Sequence, residues 1–187
     1  MIATALTMCA AAWLAASLLY FARRRPGYSH LRHTISELGE TGSRDQRLVA
    51  IGSFLPIGLL LLVAAGLLRS SSPAASMLAL AIAIGYLGAA AFPCDPGSPL
   101  SGTWRQSLHN LAGGVEYIGG GFALMTLARD LGAPFQIAGF VVLGAAIALT
   151  VLPSSGARGA IQRVAELCLF GGLVCAAWRV ASVMQGR

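Results

Sequence analysis

Long runs of apolar residues separated by polar links dominate the chain. A helix needs about 20 mainly apolar residues to cross a hydrocarbon core about 30 Å thick. Such runs predict six spanning helices, at about residues 2–22, 48–68, 74–92, 107–128, 135–152 and 161–183. Because backbone groups in lipid must be bonded within the protein, continuous apolar runs of this length favour helices. We therefore expect an all-α fold, in which residues 1–187 form a single six-helix membrane domain.

Two links between the predicted spans are long enough to carry structure of their own. They cover residues 23–47 and 93–106, whereas the other links are short turns of a helical-hairpin type. In the first long link, Thr34 and Glu37 have the spacing of a capping box, which predicts a short interfacial helix that ends at Gly39. In the second, prolines and a glycine predict a rigid turn after the third span.

The composition supports a membrane protein and excludes several other classes. Apolar residues make up 56% of the 187 positions and charged residues 11%, whereas an average soluble chain has roughly a quarter charged residues. These figures exclude a disordered chain, a collagen-like repeat and a small disulfide scaffold. The four cysteines contain no Cys-x-x-Cys pair, so we interpret them as small packing residues.

Arginine is distributed unequally between the two ends of the predicted spans. All 13 positive residues are arginine, and the formal net charge is +6. Nine of them belong to one end, which we call the arginine-rich face: Arg23, Arg24, Arg25, Arg32, Arg44, Arg47, Arg105, Arg158 and Arg163. The positive-inside rule predicts that this face, with loops 1, 3 and 5, is cytoplasmic and that both termini lie outside a bacterial cytoplasmic (inner) membrane.

The positive charge has an expected partner in the membrane itself. Arginines beside a bilayer attract anionic lipid headgroups, each by about 1 kcal/mol. A nucleic-acid-binding protein would show a basic stripe with interleaved aromatic residues outside this collar, and the sequence has none. We therefore expect the lipid bilayer and its anionic headgroups as partners, and no nucleic acid.

Two acidic residues lie within the predicted spans. Glu116 is close to the bilayer centre, where an ionised carboxylate costs roughly 2.5–3.5 kcal/mol on insertion scales. We expect Glu116 to be neutral and to belong either to a functional site or to a packing contact with another helix, for example with Tyr86. Glu166 is explained either by an ion pair with Arg163 or as a second acid of the same site.

The other candidate residues lie in the two long links and at the start of the fourth span. His109 with Asp95 is a candidate general base or metal site, and Ser36 or water is a candidate nucleophile; Asp95 is also explained as a turn residue. We assign candidate catalytic roles to Ser36, Glu37, Asp95 and His109. We assign candidate ligand-binding roles to Tyr28, His30, Arg32, Arg105, Asn110, Glu116 and Glu166. Their convergence on one polar pocket at the arginine-rich face is a hypothesis.

Cofactor binding has limited support in the sequence. His30 and His33 are spaced i, i+3, and with His109 they are candidate ligands for a divalent metal ion. A b-type haem needs two facing intramembrane histidines, and His109 is the single histidine on a predicted span, so we do not expect haem.

Three sequence motifs resemble a known family. They are Tyr28-Ser29-His30 followed by Ile35-Ser36-Glu37-Leu38-Gly39, then Phe92-Pro93-Cys94-Asp95-Pro96-Gly97, and then Leu108-His109-Asn110. In these motifs and in span count, nearly the whole chain resembles the domain-of-unknown-function 998 family of bacterial and archaeal integral membrane proteins. The resemblance implies a six-span fold and no established activity, and it places Ser36, Glu37, Asp95, His109 and Asn110 at motif positions.

Two details qualify the resemblance. The family pattern usually has Asp after the serine, where this chain has Glu37. The Ile-Ser-Glu-Leu-Gly element is also similar, more distantly, to a eukaryotic group of six-span autophagy modulators and GPI-anchor-remodelling proteins.

Three functions fit the sequence. The first is binding or modification of a lipid or other amphipathic small molecule in a polar pocket at the arginine-rich face. The second is a structural or accessory subunit, with a membrane-protein partner or as a homo-oligomer. The third is a small proton-linked transporter that uses Glu116 and Glu166. We expect the first.

Overall fold

The computed structural model describes residues 1–152 and 156–185, with side chains up to Val183. Six helices in this part of the chain are long and apolar enough to cross a membrane. They are α1 (Ile2–Arg24), α2 (Gln46–Leu68), α3 (Pro73–Ala91), α4 (Trp104–Leu131), α5 (Ala133–Val151) and α6 (Arg158–Gln185). The described residues contain no β-strand. The predicted all-α six-helix fold is confirmed.

The helices pack in chain order, and α1 also contacts α6, which closes the bundle. α3 contacts α2, α4 and α6 and therefore lies at the centre. Leu78, Ala79, Ile82 and Ala83 of α3 are fully buried. Alanine and glycine on this helix let the neighbouring backbones approach closely. α1 and α5 keep most of their apolar side chains on the outer surface, as expected for helices that face lipid.

Local sequence signals explain where the central helices begin. Pro73 follows Ser72, whose hydroxyl accepts a hydrogen bond from Ala75 N at 3.3 Å, and together they start α3. α4 begins at Trp104 rather than near residue 107, because Thr103 Oγ1 accepts a hydrogen bond from Gln106 N at 3.3 Å. The polar first turn of α4 is therefore helical although it is not apolar.

Two spans contain a π-helical turn. The turns cover Ala50–Phe54 in α2 and Val115–Gly119 in α4, and both pack against α3. The wider turn in α4 brings the consecutive residues Glu116 and Tyr117 into the interior, where both are buried. Such turns are frequent at functional sites.

The link between α1 and α2 folds against the arginine-rich end of the bundle. Glu37 Oε1 accepts a hydrogen bond from Thr34 N at 2.8 Å, and Glu37 N donates to Thr34 Oγ1 at 3.3 Å. This reciprocal pair is the capping box that the sequence predicts, and the 3-10 helix Ser36–Gly39 follows it. Ile35 and Leu38 are buried beside it. The first link therefore holds Ser36 against the end of the bundle.

Ion pairs hold the two ends of this link. Arg24 makes two hydrogen bonds of 2.9 Å with the Asp45 carboxylate, and this contact holds the pKa of Asp45 below its usual value. Arg25 makes an ion pair of 2.5 Å with Glu40. The other carboxylate oxygen of Glu40 accepts a hydrogen bond from Gly97 N at 2.8 Å. The two long links are thus joined to each other.

Candidate functional site

Ser36 and His109 form a hydrogen-bonded pair at the arginine-rich end of the bundle. His109 Nδ1 lies 2.9 Å from the carbonyl oxygen of Phe92, and His109 Nε2 lies 3.1 Å from Ser36 Oγ. A carbonyl oxygen can only accept a hydrogen bond, so the Phe92 contact places the ring proton on Nδ1. Nε2 is then free to accept the Ser36 hydroxyl proton. This is the arrangement of a serine nucleophile beside its general base.

The backbone around Ser36 is held by the second long link. Cys94 Sγ donates to the Ser36 carbonyl oxygen at 3.4 Å, and Thr41 N donates to the Cys94 carbonyl oxygen at 2.8 Å. Burial raises the pKa of the Cys94 thiol to about 12. The thiol therefore stays protonated at neutral pH and serves as a hydrogen-bond donor rather than as a nucleophile.

Ser36 and His109 open onto a cavity of about 350 Å³. Several polar side chains share its wall with them: Thr34, Ser98, Asn110, Glu116, Tyr117, Arg158 and Gln162. The apolar part of the wall comes mainly from α4 and α5, and includes Ile118, Ala146 and Leu149. A cavity with an apolar wall and a few convergent polar groups has the character of a small-molecule site.

The cavity reaches the outer surface of the bundle between α4 and α5. Ile118 of α4 and Thr150 of α5 both line it and are both exposed on that surface. Gly113 and Gly114 add no side-chain bulk to the α4 wall, and a Cβ at either position would meet no atom within 4 Å. In a bilayer, this opening would face lipid.

Glu116 and Glu166, the two acids within the spanning helices, both lie next to Ser36 but differ in their hydrogen bonds. Glu166 accepts hydrogen bonds from Tyr86 Oη at 3.0 Å and from Tyr117 Oη at 2.9 Å. Glu116 is only 6% exposed, and within the described residues its Oε1 atom has no hydrogen-bond partner. Both acids border a second cavity of about 30 Å³, which Ser36 also lines. The sequence suggested a contact between Glu116 and Tyr86, but Tyr86 donates its hydrogen bond to Glu166 instead.

The sequence suggested an ion pair between Arg163 and Glu166. In the described part of the chain, Arg163 has other partners. Its guanidinium donates to the carbonyl oxygens of His30 and His33 at 2.8 and 3.0 Å, and to Tyr28 Oη at 2.6 Å. These bonds attach the first link to the start of α6. Gln162 Oε1 adds a contact of 2.6 Å with Ile35 N.

Asp95 forms its hydrogen bonds with residues at the start of α4 and not, in the described chain, with His109. Its carboxylate accepts hydrogen bonds from Thr103 N at 2.7 Å and from Thr103 Oγ1 at 2.9 Å. Its backbone N donates to Gln106 Oε1 at 2.6 Å. Within the described chain, His109 is oriented by the Phe92 carbonyl group and not by a carboxylate. Asp95 therefore acts on the site through the position of α4.

The remaining candidate residues lie in three different environments: the cavity wall, the capping box and the exposed surface. Asn110 lines the cavity, and its side-chain amide donates to Leu100 O at 2.9 Å. Glu37 is held in its capping box with Thr34. Arg32, Arg105 and His30 are exposed at the arginine-rich face.

Tyr28 and the two loop histidines form a small aromatic cluster. The Tyr28 ring stacks on His33 at a centroid distance of 5.4 Å, and burial raises the pKa of Tyr28. His30 is exposed overall, but partial desolvation of its ring and the neighbouring Arg163 lower its pKa. His33 Nδ1 already accepts a hydrogen bond from Ser29 N at 2.9 Å. In the part of the chain that the structure describes, no group of three or more His, Cys, Asp or Glu side chains is arranged to hold a metal ion.

Sequence reasoning missed several residues of the cavity wall, among them Ser98, Tyr117 and Arg158, and also two residues next to Glu116. Gln162 lines both cavities, and Gly85 of α3 packs directly against the Glu116 carboxyl group. A polar amide at the start of the predicted sixth span was the available signal for Gln162. Gly85 carried no comparable signal, because many glycines lie in these spans.

Comparison with known proteins identifies a family but no activity. A family described as "Protein of unknown function (DUF998)" matches residues 8–179. No curated protein and no solved structure gives a significant match. The more distant likeness to eukaryotic six-span proteins stays a prediction.

Proposed function

The chain belongs to the DUF998 family, whose description names no activity, and we propose that it binds a lipid or similar amphiphile in the 350 Å³ cavity and modifies it. Ser36 attacks an ester group of the bound molecule, and His109 acts as the general base. The contact of 3.1 Å between Ser36 Oγ and His109 Nε2 carries this conclusion.

The surroundings of the pair support a catalytic role. His109 is oriented by the Phe92 carbonyl group, and Ser36 is held by the capping box and by Cys94. Nucleophile and base are therefore positioned by separate parts of the chain. Because both side chains line the cavity, a bound molecule would meet the hydroxyl group that His109 polarises.

The position of the cavity supports an amphiphilic ligand. Its opening between α4 and α5 offers an apolar entrance, through which a lipid could enter from the bilayer without passing through water. The polar end of the cavity includes Arg158 and Asn110 at the arginine-rich face. A molecule with an apolar tail and a polar head matches a cavity that has an apolar entrance and a polar end. Attraction of anionic headgroups to the arginine-rich face would raise its local concentration.

The expected location is a bacterial inner membrane with the arginine-rich face in the cytoplasm. The unequal distribution of arginine supports this orientation. Alkaline phosphatase fused after Arg187 should be active, and green fluorescent protein at the same position should be dark. The opposite result would reverse the orientation and place the cavity at the outer leaflet.

Reaction with a fluorophosphonate probe tests the activated serine. Such probes form a covalent bond with serine hydroxyl groups that a base activates. In detergent micelles, the Ser36 oxygen should displace fluoride from the probe, so the wild-type protein should gain the mass of one probe less HF, and peptide mapping should place the adduct on Ser36. Ser36→Ala should abolish labelling, and His109→Gln should slow it by at least about 100-fold, the usual lower range for loss of a general base.

Ser182→Ala is the matched control, because Ser182 is an exposed serine outside the cavity, and its hydroxyl group donates to Trp178 O within its own helix at 3.1 Å. It should label at the wild-type rate. Circular dichroism and size-exclusion chromatography verify that the variants are folded. Labelling of a folded wild-type protein that does not depend on His109, or no labelling at all, would contradict catalysis and leave the Ser36–His109 contact a structural link.

A further inference from the structure

The Glu116 carboxyl group lines the cavity, but the proposed reaction of Ser36 with His109 gives it no role. The residue is 6% exposed, its Oε1 atom is buried, and this atom has no hydrogen-bond partner in the described chain. Glu116 lines the 350 Å³ cavity together with Ser36 and His109, and it shares the 30 Å³ cavity with Ser36 as well. A buried polar atom without a partner is uncommon in folded proteins, and a catalytic role is one of the recognised explanations for it.

The neighbours of Glu116 favour its neutral form. Glu166 accepts two phenolic hydrogen bonds, whereas Glu116 Oε1 has none in the described chain, so a negative charge is better stabilised on Glu166 than on Glu116. A second negative charge beside Glu166, in the apolar interior of a membrane, would be repelled and poorly solvated. A neutral carboxyl group carries an O–H donor, so Glu116 can donate a hydrogen bond into the cavity.

We infer that Glu116 is a neutral acid that donates a hydrogen bond to the carbonyl oxygen of a carboxylic ester attacked by Ser36. This inference rests on the function proposed above and narrows its substrate class. Negative charge develops on the carbonyl oxygen during attack, and a donor that is already in place in a site with little water stabilises it. A neutral acid in an apolar site can supply such a donor.

The proposed ester hydrolysis needs water and no other reactant. Ser36 Oγ forms a bond to the carbonyl carbon while its proton moves to His109 Nε2, and the carbonyl oxygen becomes an oxyanion that accepts the Glu116 hydrogen bond. The bond from carbon to the leaving alcohol then breaks, and His109 returns the proton to that alcohol oxygen. Water, deprotonated by His109, attacks the acyl-serine and releases the carboxylic acid and Ser36.

The charges around the cavity distinguish an acyl ester from a phosphodiester. A phosphodiester is an anion, and its transfer needs cationic groups around the reacting phosphorus. The side chains that line the 30 Å³ cavity with Ser36 include the two acids and, among the described residues, no cationic side chain. Arg158 lies on the wall of the larger cavity, where its two terminal nitrogens donate to the carbonyl oxygens of Gly97 and Ser98 and its Nε atom has no hydrogen-bond partner in the described chain; Arg158 does not line the 30 Å³ cavity. This environment favours an uncharged ester.

Two variants of similar volume test the hydrogen bond. Glu116→Gln keeps an N–H donor, whereas Glu116→Met removes the donor and keeps an unbranched side chain. With p-nitrophenyl octanoate in micelles, kcat should fall by about 10²–10³-fold in Glu116→Met, the usual effect of removing an oxyanion donor. In Glu116→Gln, kcat should stay within about tenfold of wild type. KM should change little in either variant, and bis(p-nitrophenyl) phosphate should not be turned over.

Asp130→Asn is the matched control, because it removes a carboxylate at the opposite end of α4, and its kcat should equal that of wild type. A Glu116→Met variant with wild-type kcat would overturn the inference, as would equal losses in the Gln and Met variants. Turnover of the phosphodiester, or a wild-type protein that reacts with fluorophosphonate at Ser36 but does not hydrolyse the octanoate, would also overturn it. The last result leaves the proposed function intact, whereas absence of Ser36 labelling contradicts both.

Discussion

Gly85 in α3 leaves the space that the carboxyl group of Glu116 in α4 occupies. A Cβ atom at position 85 would overlap with Glu116 Oε2, and it would lie 2.6 Å from the carboxyl carbon. Both residues are buried and line the same cavity. The side chain of Glu116 is therefore positioned by the absence of a side chain on the neighbouring helix.

Gly85→Ala should force the Glu116 carboxyl group out of its position. Overpacking in a tight interior costs about 1–3 kcal/mol, which corresponds to a fall in Tm of several degrees for a chain of this size. Differential scanning fluorimetry in micelles measures this fall. Gly171→Ala in α6 is the control, because a Cβ there meets no atom within 4 Å. Equal Tm values for the two variants would mean that Gly85 is not needed for the approach of Glu116.

Thr34→Ala should loosen the first link and weaken the reactivity of Ser36. It removes the hydroxyl group that accepts from Glu37 N and donates to Glu37 Oε1. Loss of such a cap costs about 0.5–2 kcal/mol. Hydrogen exchange over residues 25–45 should accelerate, and fluorophosphonate labelling of Ser36 should slow.

Thr126→Ala serves as the control for this change, since the exposed Thr126 hydroxyl only donates to Phe122 O within its own helix, at 2.9 Å. It should leave both measurements unchanged. If Thr34→Ala behaved like Thr126→Ala, the capping box would have no part in positioning Ser36.

Asp45→Asn should remove a pH-dependent part of the stability. Arg24 lowers the pKa of Asp45 below its usual value of 3.8 in the folded protein. A lowered pKa stabilises the folded state above the pKa of the unfolded state, and this stabilisation is lost as pH falls through the folded value. The Tm difference between wild type and Asp45→Asn should be constant from about pH 5 to 7, should shrink as the pH falls below about 4, and should vanish once the pH lies below the lowered folded-state pKa.

Arg24→Gln should abolish the same pH-dependent difference, because both substitutions break the same ion pair. The double variant should show no further loss. A Tm difference that does not change with pH would show that the Arg24–Asp45 contact does not stabilise the folded protein through its charge.

Cys94 should resist alkylation in the folded protein. With a pKa of about 12, about one thiol in 10⁴ is ionised at pH 8, and only the thiolate reacts. In a variant that combines Cys9→Ser, Cys168→Ser and Cys175→Ser, iodoacetamide should react slowly. The rate should rise about tenfold per pH unit between pH 8 and 10.

Unfolding in sodium dodecyl sulfate should restore the reactivity of an ordinary thiol with a pKa of about 8.5. Intact-mass measurements follow both reactions. Rapid modification of the folded variant at pH 8 would be inconsistent with a buried Cys94 that donates to the Ser36 carbonyl group.

The predicted site residues divide according to whether their partners are local or distant. Thr34 and Glu37 pair as their spacing predicts, because a capping box closes within one turn. Glu166 could not be assigned in the same way. Its phenolic partners Tyr86 and Tyr117 lie on other helices, and the nearby Arg163 instead binds the first link. Sequence spacing on one helix gives depth in the membrane but no information about a partner across the bundle.

The sequence by itself determined the number of spans, the all-α fold and the end of the bundle at which the polar residues gather. Apolar runs of about 20 residues in lipid are stable as helices, and this constraint acts within each segment. The tertiary structure alone decided that Ser36 bonds to His109, 73 positions away, and that Asp95 bonds to Thr103 instead. It also left the Oε1 atom of Glu116 without a hydrogen-bond partner in the described chain. Lateral distances depend on how the helices pack and how the links fold back over them, and these arise from contacts between segments remote in the chain.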